Sequence, residues 1–114
     1  MKDILNSIIR NRRSVYPNQY NGKIISNEVI KEILINANTA PTHRMTQPWF
    51  FKVFSGDSKS KLANEILDLT SDQEISESVK ENLMTKFQLT SHIICICMNR
   101  DVKNIIPEWE ELAA

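Results

Sequence analysis

The chain has 114 residues, 41% of them hydrophobic, and its 14 basic side chains are balanced by 14 acidic ones. This length suits one domain, residues 1–114, with a small core. Zero net charge excludes a global field that would favour nucleic acid or an anionic membrane, so any anion site must be local.

The first predicted element is a short amphipathic helix from about Asp3 to Arg12. Its apolar side chains recur at helical spacing on one face: Ile4, Leu5, Ile8 and Ile9. Arg12, Arg13 and Ser14 follow at its C-terminal exit, and two guanidinium groups beside a hydroxyl suit a phosphate. The alternative for these arginines is a solvated position near the negative end of the helix dipole.

A loop and a second helix follow. Val15–Ile25 contains Pro17 and Gly22 and is typical of a loop. Ser26 is the predicted N-cap, and a carboxylate at Glu28 favours the positive end of the helix dipole. The apolar stripe comprises Val29, Ile30, Ile33, Leu34 and Ala37, and because Pro41 disfavours helical geometry just before it, the helix should end near Asn38.

The segment after this helix concentrates polar groups ahead of a tryptophan and indicates a ligand loop, Thr39–Gln47. Its sequence from Ala40 to Trp49 is APTHRMTQPW. His43 can donate to a cofactor carbonyl or satisfy a nearby backbone group. Arg44 can face a phosphate or solvent, and Trp49 is expected to pack and to fix the loop.

The remaining chain alternates strand and helix patterns. Trp49–Phe54 is aromatic and β-branched, which favours a strand. Two helical patterns then run through 59–69 and 79–87, and the apolar run 91–98 predicts a second strand, buried on both faces and central in its sheet. A last helix should begin at Pro107.

Cys95 and Cys97 lie in the second predicted strand, where alternate residues share a face. We interpret them as buried thiols in a reducing compartment, with a metal half-site as the alternative. No apolar run approaches the roughly 20 residues of a membrane span. These features predict a soluble, cytoplasmic protein.

Arg-Arg-Ser near the N-terminus, followed after the second helix by Ala-Pro-x-His-x-x-x-Gln-Pro-Trp, resembles the nitroreductase family of FMN-dependent oxidoreductases, and most closely its compact branch. The resemblance implies an α+β fold with helices packed on a central, mainly antiparallel sheet. It covers the N-terminal portion of a family domain, so the C-terminal part of the domain is expected to be missing. Met45 departs from the asparagine that many relatives carry there.

The resemblance also implies a homodimer with FMN at the subunit interface. Arg12, Arg13 and Ser14 of one subunit would bind the phosphate and ribityl tail, while Thr39 and His43 of the other would contact the flavin. No metal is implied.

The implied reaction is ping-pong reduction of nitroaromatic, quinone or similar acceptors by NADH or NADPH. The cofactor carries the hydride transfer, so no side chain is assigned as catalytic. The alternative is a non-catalytic remnant or interaction module without flavin, in which the same segments serve as structure.

Overall fold

The computed structural model describes residues 1–41, 47–100 and 107–112. In chain order, its elements are α1 (Lys2–Asn11), a short 3-10 helix (Pro17–Gln19), α2 (Asn27–Ala37), β1 (Trp49–Ser55), α3 (Asp57–Leu69), α4 (Glu77–Leu89), β2 (His92–Met98) and α5 (Glu108–Leu112). Each predicted helix and strand is therefore present, with bounds shifted by one or two residues.

Local contacts account for several of these bounds. The Ser26 hydroxyl accepts a hydrogen bond from the Val29 N–H at 3.4 Å, which confirms Ser26 as the N-cap of α2. Gly56 precedes α3 with φ +52°, a backbone conformation that glycine adopts without steric cost. The Ser58 hydroxyl donates to the Ser55 carbonyl oxygen at 2.7 Å and accepts from the Ser55 N–H at 2.8 Å, so it closes the turn between β1 and α3.

The two strands pair antiparallel, in a register that runs from Trp49 opposite Met98 to Ser55 opposite His92. The prediction that β2 is a central strand buried on both faces is wrong for the described chain. Within those residues the sheet has only β1 and β2, and Ile96 is 76% exposed. The apolar run correctly predicted a strand, but not how many neighbours cover it.

Two of the buried residues of the described chain, Lys59 and Ala63, lie in α3. This helix packs against both β1 and α4, and its Ala63 is fully buried. Lys59 is also buried, and its ammonium group donates to the carbonyl oxygens of Gln88, at 3.4 Å, and Thr90. These carbonyls lie at the C-terminal end of α4, where a cation is favoured.

Cys95 and Cys97 are unpaired and half-buried, so they are less enclosed than the buried thiols predicted from the sequence. Their place in β2 puts both side chains on the same face of the strand. Among the described residues, no group of three or more histidines, cysteines or carboxylates could hold a metal ion.

Helix α1 contrasts with the α3 region because none of its residues is buried. The radius of gyration of the chain is 17.8 Å, whereas a compact domain of this length has about 13 Å.

Across the described residues, no helix is both long and apolar enough to cross a membrane.

Candidate functional site

The first candidate segment, Arg12–Ser14, begins where α1 ends. At Arg12 the backbone leaves the helix for an extended conformation, with φ −61° and ψ 129°. All three side chains are exposed, and no carboxylate in the described part of the chain pairs with either arginine. Both guanidinium groups and the hydroxyl therefore keep their donors for a ligand, which is the donor set that a phosphate requires.

The second candidate segment begins at the C-terminal end of α2. The Thr39 hydroxyl donates to the carbonyl oxygen of Asn36 at 2.7 Å, and the Thr39 N–H donates to the same carbonyl oxygen at 3.1 Å. The hydroxyl proton is thus used within the chain, while the oxygen can still accept a hydrogen bond. His43, Arg44 and Met45 lie outside the described residues.

The exit of the loop is held at several points. Gln47 has φ +41°, in the left-handed region that non-glycine residues rarely adopt and that costs about 1–2 kcal/mol. Pro48 is buried, and its carbonyl oxygen accepts from the Asn99 N–H at 2.6 Å. The Trp49 indole N–H donates to the Asn38 side-chain oxygen at 2.9 Å, so Trp49 does help to fix the loop as predicted.

The structure brings the two ends of this loop together but does not join the two candidate segments. Among the described residues, no hydrogen bond or ion pair connects Arg12, Arg13 or Ser14 with Thr39.

A polar network that sequence reasoning missed joins α2 to β2. The Ile25 N–H donates to the Ser91 hydroxyl oxygen at 2.7 Å, and this hydroxyl lies 2.9 Å from Nδ1 of His92. Nε2 of His92 lies 3.0 Å from the Asn27 side-chain oxygen. Partners some 65 residues apart leave no local signal in a sequence, so only the fold reveals them.

Two cavities flank α2. One, of about 480 Å³, lies beside the polar network and is lined by residues of the 15–25 loop together with Ser91, His92 and Ile94. The other, of about 440 Å³, lies between α2 and β1, with Ile30, Leu34, Phe51 and Val53 among its lining residues. Ile30, the one buried residue of α2, lines both cavities.

Hydrogen bonds at the start of α2 favour the ionised form of the Glu28 carboxylate. The backbone N–H of Glu28 and the Ser26 hydroxyl donate to the Glu28 carboxylate and lower its pKa below the usual 4.5. This agrees with the predicted preference for a carboxylate at the positive end of the helix.

The Nitroreductase family model matches residues 9–110 of this chain. The chain therefore belongs to the Nitroreductase family. The match spans both candidate segments, from α1 to α5.

Two similar proteins extend this finding. A 62-residue stretch is 39% identical to a Bacillus subtilis (strain 168) protein named "Putative NAD(P)H nitroreductase YfhC", covering 54% of this chain and 31% of that protein. The crystal structure of a nitroreductase-like family protein from Bacillus cereus superimposes with a TM-score of 0.71 at 26% identity, covering 96% of this chain and 57% of the other. The sequence match thus spans about a third of the Bacillus subtilis relative. The superposition on the Bacillus cereus structure confirms the predicted α+β, nitroreductase-like fold.

Proposed function

We propose that this chain forms the FMN-binding part of an NAD(P)H-dependent oxidoreductase that reduces nitroaromatic, quinone or similar acceptors. The observation that carries the proposal is the Arg12–Ser14 segment. It offers unpaired hydrogen-bond donors for a phosphate, inside the region that matches the family. The name of the Bacillus subtilis relative supports NADH or NADPH as the electron donor.

The donor set fits the phosphate of FMN. Two guanidinium groups give charge-assisted hydrogen bonds from a forked geometry, and a neighbouring hydroxyl adds a third direction. The backbone becomes extended at Arg12, so this segment leaves the helix at its exposed C-terminal end. Arg12, Arg13 and Ser14 would hold the phosphate and ribityl tail.

The proposal places FMN between two copies of the chain. Thr39 and His43 of the second copy would contact the flavin ring, as the resemblance to the family implies. The apolar face of α1 supports a dimer, because its four large side chains are 57–66% exposed: Ile4, Leu5, Ile8 and Ile9. Such a face gains free energy when a partner covers it.

When bound, FMN would supply the redox chemistry of hydride transfer between NADH or NADPH and the acceptor. The chain's side chains bind and orient the cofactor, and we assign none of them as an acid or base. The two unpaired cysteines agree with a reducing, cytoplasmic location.

An FMN titration of the purified chain, read by flavin fluorescence, tests the phosphate role. Replacing both arginines, Arg12→Gln with Arg13→Gln, removes two charge-assisted bonds worth about 1.5–3 kcal/mol each. We therefore expect about a hundredfold weaker binding or more. Arg10→Gln, which lowers the charge inside α1, is the control and should bind nearly as the unchanged chain does.

Equal affinity in the double variant and the control would contradict the phosphate role. Consumption of NADH or NADPH with a nitroaromatic or a quinone, measured on the FMN-loaded chain, then tests the reaction. An FMN-loaded chain that oxidises neither nucleotide would contradict the proposed activity.

A second candidate is a non-catalytic family member that keeps these segments as structure. It is favoured by the Thr39 and Trp49 bonds, since both side chains already have partners within the chain. This candidate predicts a folded chain that is colourless after reconstitution with excess FMN and removal of the unbound cofactor. Turnover of NADH with a nitroaromatic would exclude it.

A further inference from the structure

The side chain of Asn38 connects the two ends of the loop that leaves α2. Its Oδ1 accepts the indole N–H of Trp49 at 2.9 Å, across eleven positions in the sequence. Trp49 is the first residue of β1, and Asn38 is the residue that ends α2. The bond therefore ties a helix end to a strand start.

The usual reason for an asparagine at a helix end does not apply here. Asparagine is favoured after helices because it tolerates left-handed backbone geometry. Asn38 has φ −70° and ψ −8°, which is ordinary right-handed geometry open to most residues. What Asn38 contributes is therefore its side-chain oxygen.

The neighbouring contacts make this bond a constraint on Thr39. Thr39 directly follows Asn38 and is bonded twice to the Asn36 carbonyl oxygen. On the other side, buried Pro48 is bonded to Asn99 next to β2, so the start of β1 is fixed independently. With both sides held, the Asn38–Trp49 bond sets where Thr39 lies relative to the sheet.

We propose that Asn38 is a positioning residue, which acts through Trp49 to fix Thr39 and so contributes to the affinity for FMN. The affinity part rests on the proposed function. The positioning part is a property of the flavin-free chain and is measured without the cofactor.

Two substitutions separate the side-chain oxygen from the bulk of the residue. Asn38→Leu keeps a similar size but removes the acceptor, whereas Asn38→Asp keeps an oxygen that can accept from the indole. Asn36→Leu makes the same chemical change at a neighbouring exposed position whose side chain makes no hydrogen bond in the described structure. It serves as the matched control.

The first measurement is amide hydrogen exchange on the flavin-free chain, followed by mass spectrometry. We expect faster exchange at the Thr39 and Ala40 amides in Asn38→Leu. Rates close to those of the unchanged chain are expected in Asn38→Asp and in Asn36→Leu. Equal rates in Asn38→Leu and the unchanged chain would overturn the proposal, whatever the FMN titration gives.

The second measurement is the FMN affinity of the same variants. Loss of one net hydrogen bond corresponds to about a 2- to 12-fold weaker affinity for Asn38→Leu, with recovery in Asn38→Asp. Adding Trp49→Phe to Asn38→Leu should cost little more than either change alone, because both remove the same bond. Additive losses would overturn the role of Trp49.

The two proposals fail in distinguishable ways. An unchanged chain that binds no FMN contradicts the proposed function, while faster exchange confined to Asn38→Leu still supports the positioning part. Normal FMN binding by the unchanged chain and by Asn38→Leu contradicts the effect of Asn38 on affinity and leaves the proposed function standing.

Discussion

Helices α1 and α3 are both amphipathic, yet the chain packs only one of them. Helix α3 lies between β1 and α4, with Ala63 fully buried and Lys59 bonded to the end of α4. In α1 no residue is buried, and Ile8 is 63% exposed. The same kind of pattern thus forms an internal core in one place and an uncovered surface in the other.

The difference teaches that helical periodicity identifies which face will be buried but not what will bury it. An isolated helix of ten residues is marginal in water, so α1 needs a partner surface to be well populated. The residues proposed to bind the phosphate, Arg12–Ser14, follow directly at its end. Under the proposed function, a second copy that covers α1 would also complete the flavin site.

The strongest way to break the comparison is to charge the apolar face of α1. Ile8→Asp removes the apolar burial expected on dimerisation and places a carboxylate in the proposed interface, at a cost of about 3 kcal/mol or more. We expect dimerisation to weaken more than about a hundredfold, measured by sedimentation equilibrium. Ser7→Asp introduces the same charge off the apolar face and should leave the dimer intact. Equal dimer affinity in both variants would contradict the role of this face.

In the packed region, the sharpest test removes the ammonium group of Lys59. Lys59→Met keeps the apolar stem but leaves the carbonyl oxygens of Gln88 and Thr90 without this donor. Hydrogen bonds from charged groups contribute about 1.5–3 kcal/mol, so we expect the free energy of unfolding to fall by about 2 kcal/mol in urea. Lys61→Met, at an exposed position of the same helix, should change it by less than about 0.5 kcal/mol. A similar loss of stability in Lys59→Met and Lys61→Met would attribute the effect to the removed charge and would contradict the role of the hydrogen bonds.

A smaller effect is expected where the 15–25 loop joins β2. Ser91→Ala removes the acceptor of the Ile25 N–H and the partner of His92, and we expect a loss of about 1 kcal/mol in the free energy of unfolding. Ser71→Ala, at an exposed turn, is the control.

In the unchanged chain, nitrogen NMR should find the neutral His92 ring protonated at Nε2, donating to Asn27. Protonation at Nδ1 would contradict this direction of the network.

The smallest expected effect is the pH dependence that Glu28 gives to α2. Its pKa is lowered in the folded chain by hydrogen bonds from its own N–H and from Ser26, so the ionised carboxylate stabilises the fold above the ordinary value of 4.5. That stabilisation is lost as the pH falls through the folded-state pKa, from about pH 5 downward. Glu28→Gln should flatten this part of the plot of the free energy of unfolding against pH. An unchanged curve in Glu28→Gln would contradict the effect.

Much of the fold follows from local signals. The apolar spacing in α1 and the N-cap at Ser26 fixed the first two helices because helical propensity, capping and periodicity act within a few residues. The burial of Lys59 could not be predicted, since a lysine at helical spacing is usually solvated. The exposure of Ile96 could not be predicted either, because an apolar run does not report how many strands will cover it.

The candidate site divides in the same way. Arg12–Ser14 and Thr39 can be recognised in the sequence because they lie in or beside two short motifs whose order resembles that of the family. Asn38 is not, since its importance depends on Trp49 returning to the end of α2 in the folded chain. The role of His43, which lies outside the described residues, stays a prediction.

Sedimentation velocity of the FMN-loaded chain, followed at both the protein and the flavin absorbance, tests the central claim most directly. The account predicts that flavin sediments with a species of twice the 13.2 kDa chain mass. Flavin that stays at the rate of the free cofactor while the protein sediments as a single chain would contradict it.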